Sequence, residues 1–73
     1  MKAISIIKLD DGFIKVQKKG GDLVTVADVS HLSTDQQLKV KNKAIELYRV
    51  FVGEYLQFRK FKTALTRYII AIE

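Results

Sequence analysis

The chain has 73 residues, a net charge of +5, 48% hydrophobic and 29% charged residues, and no cysteine. This is a globular rather than a disordered composition, and the length accommodates one domain, residues 1–73, with a small core. Without cysteine there is no disulfide, no thiolate nucleophile and no cysteine-ligated zinc, which fits a reducing cytoplasm.

The opening "MKAISIIKLDDG" loses its apolar run at Lys8 and Asp10, well short of a signal-peptide core. Near the other end the longest uncharged apolar run is Tyr68–Ile72. A bilayer span needs about 20 apolar residues, so no transmembrane helix is expected. No lipidation motif is visible at either end. The expectation is a cytoplasmic, non-membrane protein.

"AISIIK", Ala3–Lys8, is isoleucine-rich and partly alternating, and reads as a first strand. "LDDG", Leu9–Gly12, is turn chemistry, because aspartate tolerates left-handed backbone and glycine adopts it freely. "FIKVQ", Phe13–Gln17, sets Phe13, Lys15 and Gln17 against Ile14 and Val16, a second strand. "KKGGD", Lys18–Asp22, predicts a second turn, and "LVTVA", Leu23–Ala27, a third strand with Val24 and Val26 on one face. So small a sheet is barely stable alone and needs a helix on one face.

Asp28–Leu38 is the switch from strand to helix. Ser33 and Thr34 are both good N-caps, with Gln36 and Gln37 three residues later, so a capping box fits in either register. Asp35 suits the positive end of the helix dipole, and a helix is placed from about Thr34. From there to Ile72 there is no proline and one glycine, Gly53. Leu38, Ile45, Tyr48, Val52, then Phe51, Tyr55 and Phe58, then Phe61, Leu65, Tyr68, Ile69 and Ile72 recur at helical spacing. One helix of this length would reach roughly 55–60 Å, too long for so small a domain to cover. Two helices bending near Gly53 are therefore expected, with one long helix shared in a dimer as the alternative. The fold class is α+β: a small antiparallel sheet of two or three strands over about residues 3–27, then a helical pair or one bent helix over about 34–72.

Catalytic chemistry is hard to assemble from these residues. His31 is the single histidine, and a metal site would have to use Asp28, His31 and Asp35; a polar loop histidine is the simpler reading. Ser30 and Ser33 flank His31, but no third group is placed to orient a base. Asp10 and Asp11 are turn formers rather than an acid–base pair, which needs two different environments. "KKGGD" lacks the full phosphate-loop pattern and sits between strands. No enzyme, metal or cofactor is expected.

Charge is the informative feature. Residues 1–35 balance five lysines with five aspartates, whereas residues 36–67 hold eight cations against Glu46 and Glu54. In "FRKFKTALTR", Phe58–Arg67, helical spacing puts Arg59, Lys60, Thr63 and Arg67 on one face and Phe58, Phe61, Leu65, Tyr68 and Ile72 on the other. Most of the aromatics are thus assigned to the core and the cations to solvent. An ordinary solvated face mixes signs and forms pairs four residues apart, and this one is short of acids. The candidate partner-binding residues are Lys39, Lys43, Arg49, Arg59, Lys60, Lys62 and Arg67, with Lys18 and Lys19 as secondary candidates. Their partner is an acidic protein surface or, alternatively, DNA or RNA; Tyr48, Tyr55 or Tyr68 would then serve as rim anchors on a protein partner. A homo-oligomeric assembly protein is the third possibility. "AIELYRVFVGEYLQFRKF" superficially suggests a helix-turn-helix, but its turn lacks polar turn residues. A membrane surface is the least suited partner, since the apolar stripe is needed for the core.

In its length, its cysteine-free basic composition and its order of "AISIIK" and "FIKVQ" before a basic helical "FRKFKTALTR", the chain resembles small phage-encoded regulators of bacterial RNA polymerase. The resemblance implies binding to the amino-terminal part of the polymerase β′ subunit in the host cytoplasm. It also implies interference with σ factor, inhibition of initiation and antitermination. It covers the chain loosely, contains no diagnostic motif, and transfers no binding residue position by position.

Overall fold

The computed structural model describes residues 7–17, 23–51 and 58–73. Three strands, β1 (Ile7–Asp10), β2 (Phe13–Gln17) and β3 (Leu23–Asp28), precede two helices, α1 (Thr34–Phe51) and α2 (Phe58–Ile72). The sheet is antiparallel in the order β1-β2-β3. The fold is therefore α+β, a three-stranded antiparallel sheet followed by a helical pair. Gly53, the expected bend, lies outside the described residues, as do Ala3–Ile6 of the expected first strand and the Lys18–Asp22 turn.

The first strand continues two residues past its predicted end. Leu9 pairs with Ile14 on the inner face, and Asp10 pairs with Phe13 to close the hairpin. The turn shrinks to Asp11 and Gly12, with φ of 55° and 84°. Two successive positive φ values match the right-handed twist of the flanking strands, which is why a two-residue Asp-Gly loop wins over the longer one. Gly12 is needed for a second reason. Its carbonyl accepts a 2.8 Å hydrogen bond from Val29 N–H, and a β-carbon there would stand 2.7 Å from that of Ser30. The hairpin tip is thus strapped to the segment leaving β3.

β3 carries a bulge. Ile14 pairs with Ala27 but Lys15 with Thr25, so Val26 is an extra residue. Val24 and Val26 face inward before it, and Ala27 and Val29 after it. The bulge adds an apolar residue to the inner face, where strict alternation would have turned Ala27 and Val29 outward.

Ser33 is the N-cap of α1. Its hydroxyl accepts from Gln36 N–H at 3.2 Å, and Gln36 Oε1 accepts from Ser33 N–H at 3.1 Å. Of the two registers open to sequence, the Ser33–Gln36 capping box forms.

The helices run antiparallel, since Gln36 meets Ile72, Lys43 meets Tyr68 and Tyr48 meets Phe61. α1 packs on β1 and α2 on β3, covering one sheet face. Between them lie Ile7, Ile14, Val16, Val26, Val29, Leu32, Val40, Ala44, Phe61, Leu65 and Ile69. Val40 and Ala44 of α1 and Phe61 and Leu65 of α2 are completely buried, so both helices contribute their inner stripes to the lid over the sheet.

Candidate partner-binding site

Burying Phe61, Leu65 and Ile69 fixes the rotation of α2 about its axis. Arg59, Lys60, Lys62, Thr63, Thr66, Arg67 and Ile70 are consequently exposed. Arg59, Lys62, Thr63, Thr66 and Arg67 recur at intervals of three and four and line a shallow, open concavity of about 600 Å³. From Arg59 to Arg67 it runs roughly 12 Å along the helix. Two threonine hydroxyls lie among three cationic side chains, so the concavity offers donors and positive charge to an anionic group.

α2 contains no aspartate or glutamate, and no acid stands three or four residues from Arg59, Lys60, Lys62 or Arg67. The solvent face of α1 differs. There Lys39 and Arg49 are interspersed with Asp35 and Glu46, an ordinary mixed-sign surface. Lys43 is engaged internally: its ammonium lies 3.6 Å from Glu46 and 5.3 Å from the Tyr68 ring centroid. The seven primary candidates therefore do not form one cluster. Arg59, Lys62 and Arg67 share the concavity and Lys60 borders it, whereas Lys39, Lys43 and Arg49 belong to α1. Lys18 and Lys19 lie outside the described residues.

Two residues of this face escaped the sequence reading. Thr66 and Ile70 continue the Arg59–Lys62–Thr63 spacing by one and two turns, which is the signal that would have found them. Ile70 lies within the apolar run Tyr68–Ile72, yet it is 65% exposed. Tyr48 and Tyr68, expected as rim anchors, are half-buried against the core, and Tyr48 meets Phe61 edge-on at 5.8 Å. Tyr55 lies outside the described residues.

The polar loop before α1 does structural work. Asp28 Oδ1 accepts from the hydroxyl and the backbone N–H of Ser30, at 2.7 and 3.0 Å. These bonds, with His31 nearby, hold its carboxyl below the usual carboxylate range. His31 Nε2 lies 3.4 Å from a Glu73 carboxylate oxygen. Asp28, His31 and Asp35 do not converge, and among the described residues no three such groups gather at metal-binding distance. Among the described residues no helix is long and apolar enough to cross a membrane.

Searches of family models, curated proteins and solved structures find no significant match to this chain.

Proposed function

We propose that the protein is a non-enzymatic binding protein whose α2 outer face docks on an acidic surface of a protein partner. The observation that carries this reading is the single-signed face itself: Arg59, Lys60, Lys62 and Arg67 are exposed on a helix that contains no acid. Charges placed for stability would mix signs on the exposed face, as on α1, where Asp35 and Glu46 stand among the cations. Clustered charges of one sign raise the encounter rate with an oppositely charged surface and suppress like-charged partners. In its particular form, suggested by the resemblance to phage regulators, the partner is bacterial RNA polymerase, contacted through β′. Docking there would interfere with σ factor, inhibit initiation and favour antitermination.

The test is binding to purified bacterial RNA polymerase after nuclease treatment, with elution by rising salt. The Arg59→Glu/Lys62→Glu double variant is expected to lose binding while keeping its circular dichroism spectrum. Promoter-dependent transcription should fall with the native chain and recover with the double variant. Retained binding by that variant would remove α2 from the interface. A second reading rests on Thr63 and Thr66, whose hydroxyls lie between cations as phosphate contacts often do. Nucleic-acid binding predicts steeply salt-dependent affinity for generic duplex instead.

A further inference from the structure

Ile70 stands four and three residues beyond Thr66 and Arg67, at the end of the basic concavity. An exposed isoleucine alone means little, since single apolar side chains are common on protein surfaces. Here its position and its fixation both matter. Helical spacing puts it in the same stripe as Arg59, Lys62, Thr63, Thr66 and Arg67. The turn that carries it is tied to α1 and to the loop before α1. Gln36 Nε2 donates to the Ile72 carbonyl at 3.1 Å, and His31 Nε2 lies 3.4 Å from the Glu73 carboxylate. Ile69, its neighbour, is buried in the core. A terminal helical turn normally frays, and a side chain on a frayed turn loses conformational freedom when it docks. These contacts hold the backbone of the turn, so less backbone freedom is lost when Ile70 docks.

Resting on the acidic-protein reading above, we propose that Ile70 is the apolar anchor of this site and determines its specificity. The partner it fits is an acidic protein surface in which carboxylates flank an apolar socket. The carboxylates meet Arg59, Lys62 and Arg67, and Ile70 fills the socket at the end of the row. A buried apolar contact at the edge of a charged patch resists salt, whereas the charge contacts do not. The same arrangement discriminates against a simple polyanion, which offers charge but no socket.

The experiment compares three fluorescent probes by anisotropy: a helical Glu/Leu peptide, an oligoglutamate of equal net charge, and a short DNA duplex. The native chain is expected to bind the Glu/Leu peptide roughly 10-fold more tightly than oligoglutamate, and to keep that preference as salt rises. Ile70→Ser should abolish the preference while leaving oligoglutamate binding unchanged. Arg59→Glu/Lys62→Glu should weaken both peptides. Ile70→Ala provides a second variant, whose unchanged thermal midpoint would separate lost contact from lost fold. Equal affinity for the two peptides, or a preference that survives Ile70→Ser, would overturn the anchor and leave the acidic-protein reading standing. If the duplex binds tightest, or if reversing Arg59 and Lys62 changes nothing, the acidic-protein reading itself fails and the anchor with it.

Discussion

The ammonium of Lys43 lies 5.3 Å from the centroid of the Tyr68 ring, joining α1 to α2 across the helical pair. The same group stands 3.6 Å from the Glu46 carboxylate, three residues along α1. Lys43 is thus a cation with two partners inside its own chain. Replacing it with methionine keeps most of the stem and removes the charge. The expected cost is about 0.5–1 kcal/mol of stability, measured by urea unfolding, because the ring contact is only partly desolvated. Binding to an acidic partner should be unchanged. A loss of affinity comparable with that of Arg59→Glu would return Lys43 to the interface.

Gly12 allows a prediction about the hairpin. Its φ of 84° is a left-handed conformation, and a β-carbon would meet Ser30 at 2.7 Å. Gly12→Ala should therefore destabilise by about 1–3 kcal/mol from strained backbone alone, with the collision added to it. Asp11, at φ 55°, is the neighbouring residue in the same turn, where asparagine is at least as well suited. Asp11→Asn should leave the unfolding free energy within about 0.5 kcal/mol of native. Equal effects of the two substitutions would mean that the turn geometry is not what ties the hairpin to the segment after β3.

These two sites also mark what could be read without coordinates. The hairpin was legible because Asp11-Gly12 is a short-range signal, and the start of α1 because a capping box is local. The alternation of Ile14 and Val16 with polar neighbours gave the buried side of β2, and the stripe of Phe61, Leu65 and Ile69 gave the buried side of α2. The bulge at Val26 was not legible, since it depends on how β3 pairs with β2 rather than on β3 itself. Nor was the inward role of Lys43, which needs Tyr68 from another helix. The candidate site was half visible. Sequence located the excess of cations, but not that α1 interleaves them with acids on its solvent face while α2 lines a concavity with them. Ile70 was hidden because an isoleucine inside "YIIAI" looks like core until the helix rotation is known.

The Asp28–Ser30 contact carries a pH dependence. Two hydrogen bonds from Ser30 stabilise the charged carboxylate, so the folded-state pKa lies below the unfolded one. Such a group contributes stability above its unfolded pKa, near 3.8, and loses it as pH falls through the lower folded value. Asp28→Asn resembles the protonated form. The variant should be less stable than native at pH 7, and the difference should shrink on acidification below about pH 4 and then disappear. A gap that stays constant down to pH 2.5 would show that the charge of Asp28 is not what Ser30 stabilises.

The capping box supplies a purely structural control. Ser33→Ala removes the acceptor for Gln36 N–H and leaves one of the first amides of α1 without its partner. A loss of about 1 kcal/mol is expected, the usual cost of removing an N-cap side chain. The measurement is the shift in urea midpoint at constant slope.

The last prediction separates stability from function at one residue. Arg59 lies in the first turn of α2, three residues before Lys62, and the helix has no acid in that turn. A cation near the positive end of a helix dipole is unfavourable, and a second cation three residues away adds repulsion. Arg59→Glu reverses both effects. It places a carboxylate near the helix start and creates an opposite-charge pair with Lys62. The isolated protein should therefore become more stable by about 0.3–1 kcal/mol, or at worst remain unchanged. Binding to an acidic surface should fall, because one of the concavity's cations has become an anion. An arginine that costs the free protein stability and is needed in the complex is what a docking residue looks like thermodynamically. Paired urea unfolding and binding titrations on this one variant decide the matter. A variant that is less stable and binds equally well would make Arg59 a structural residue.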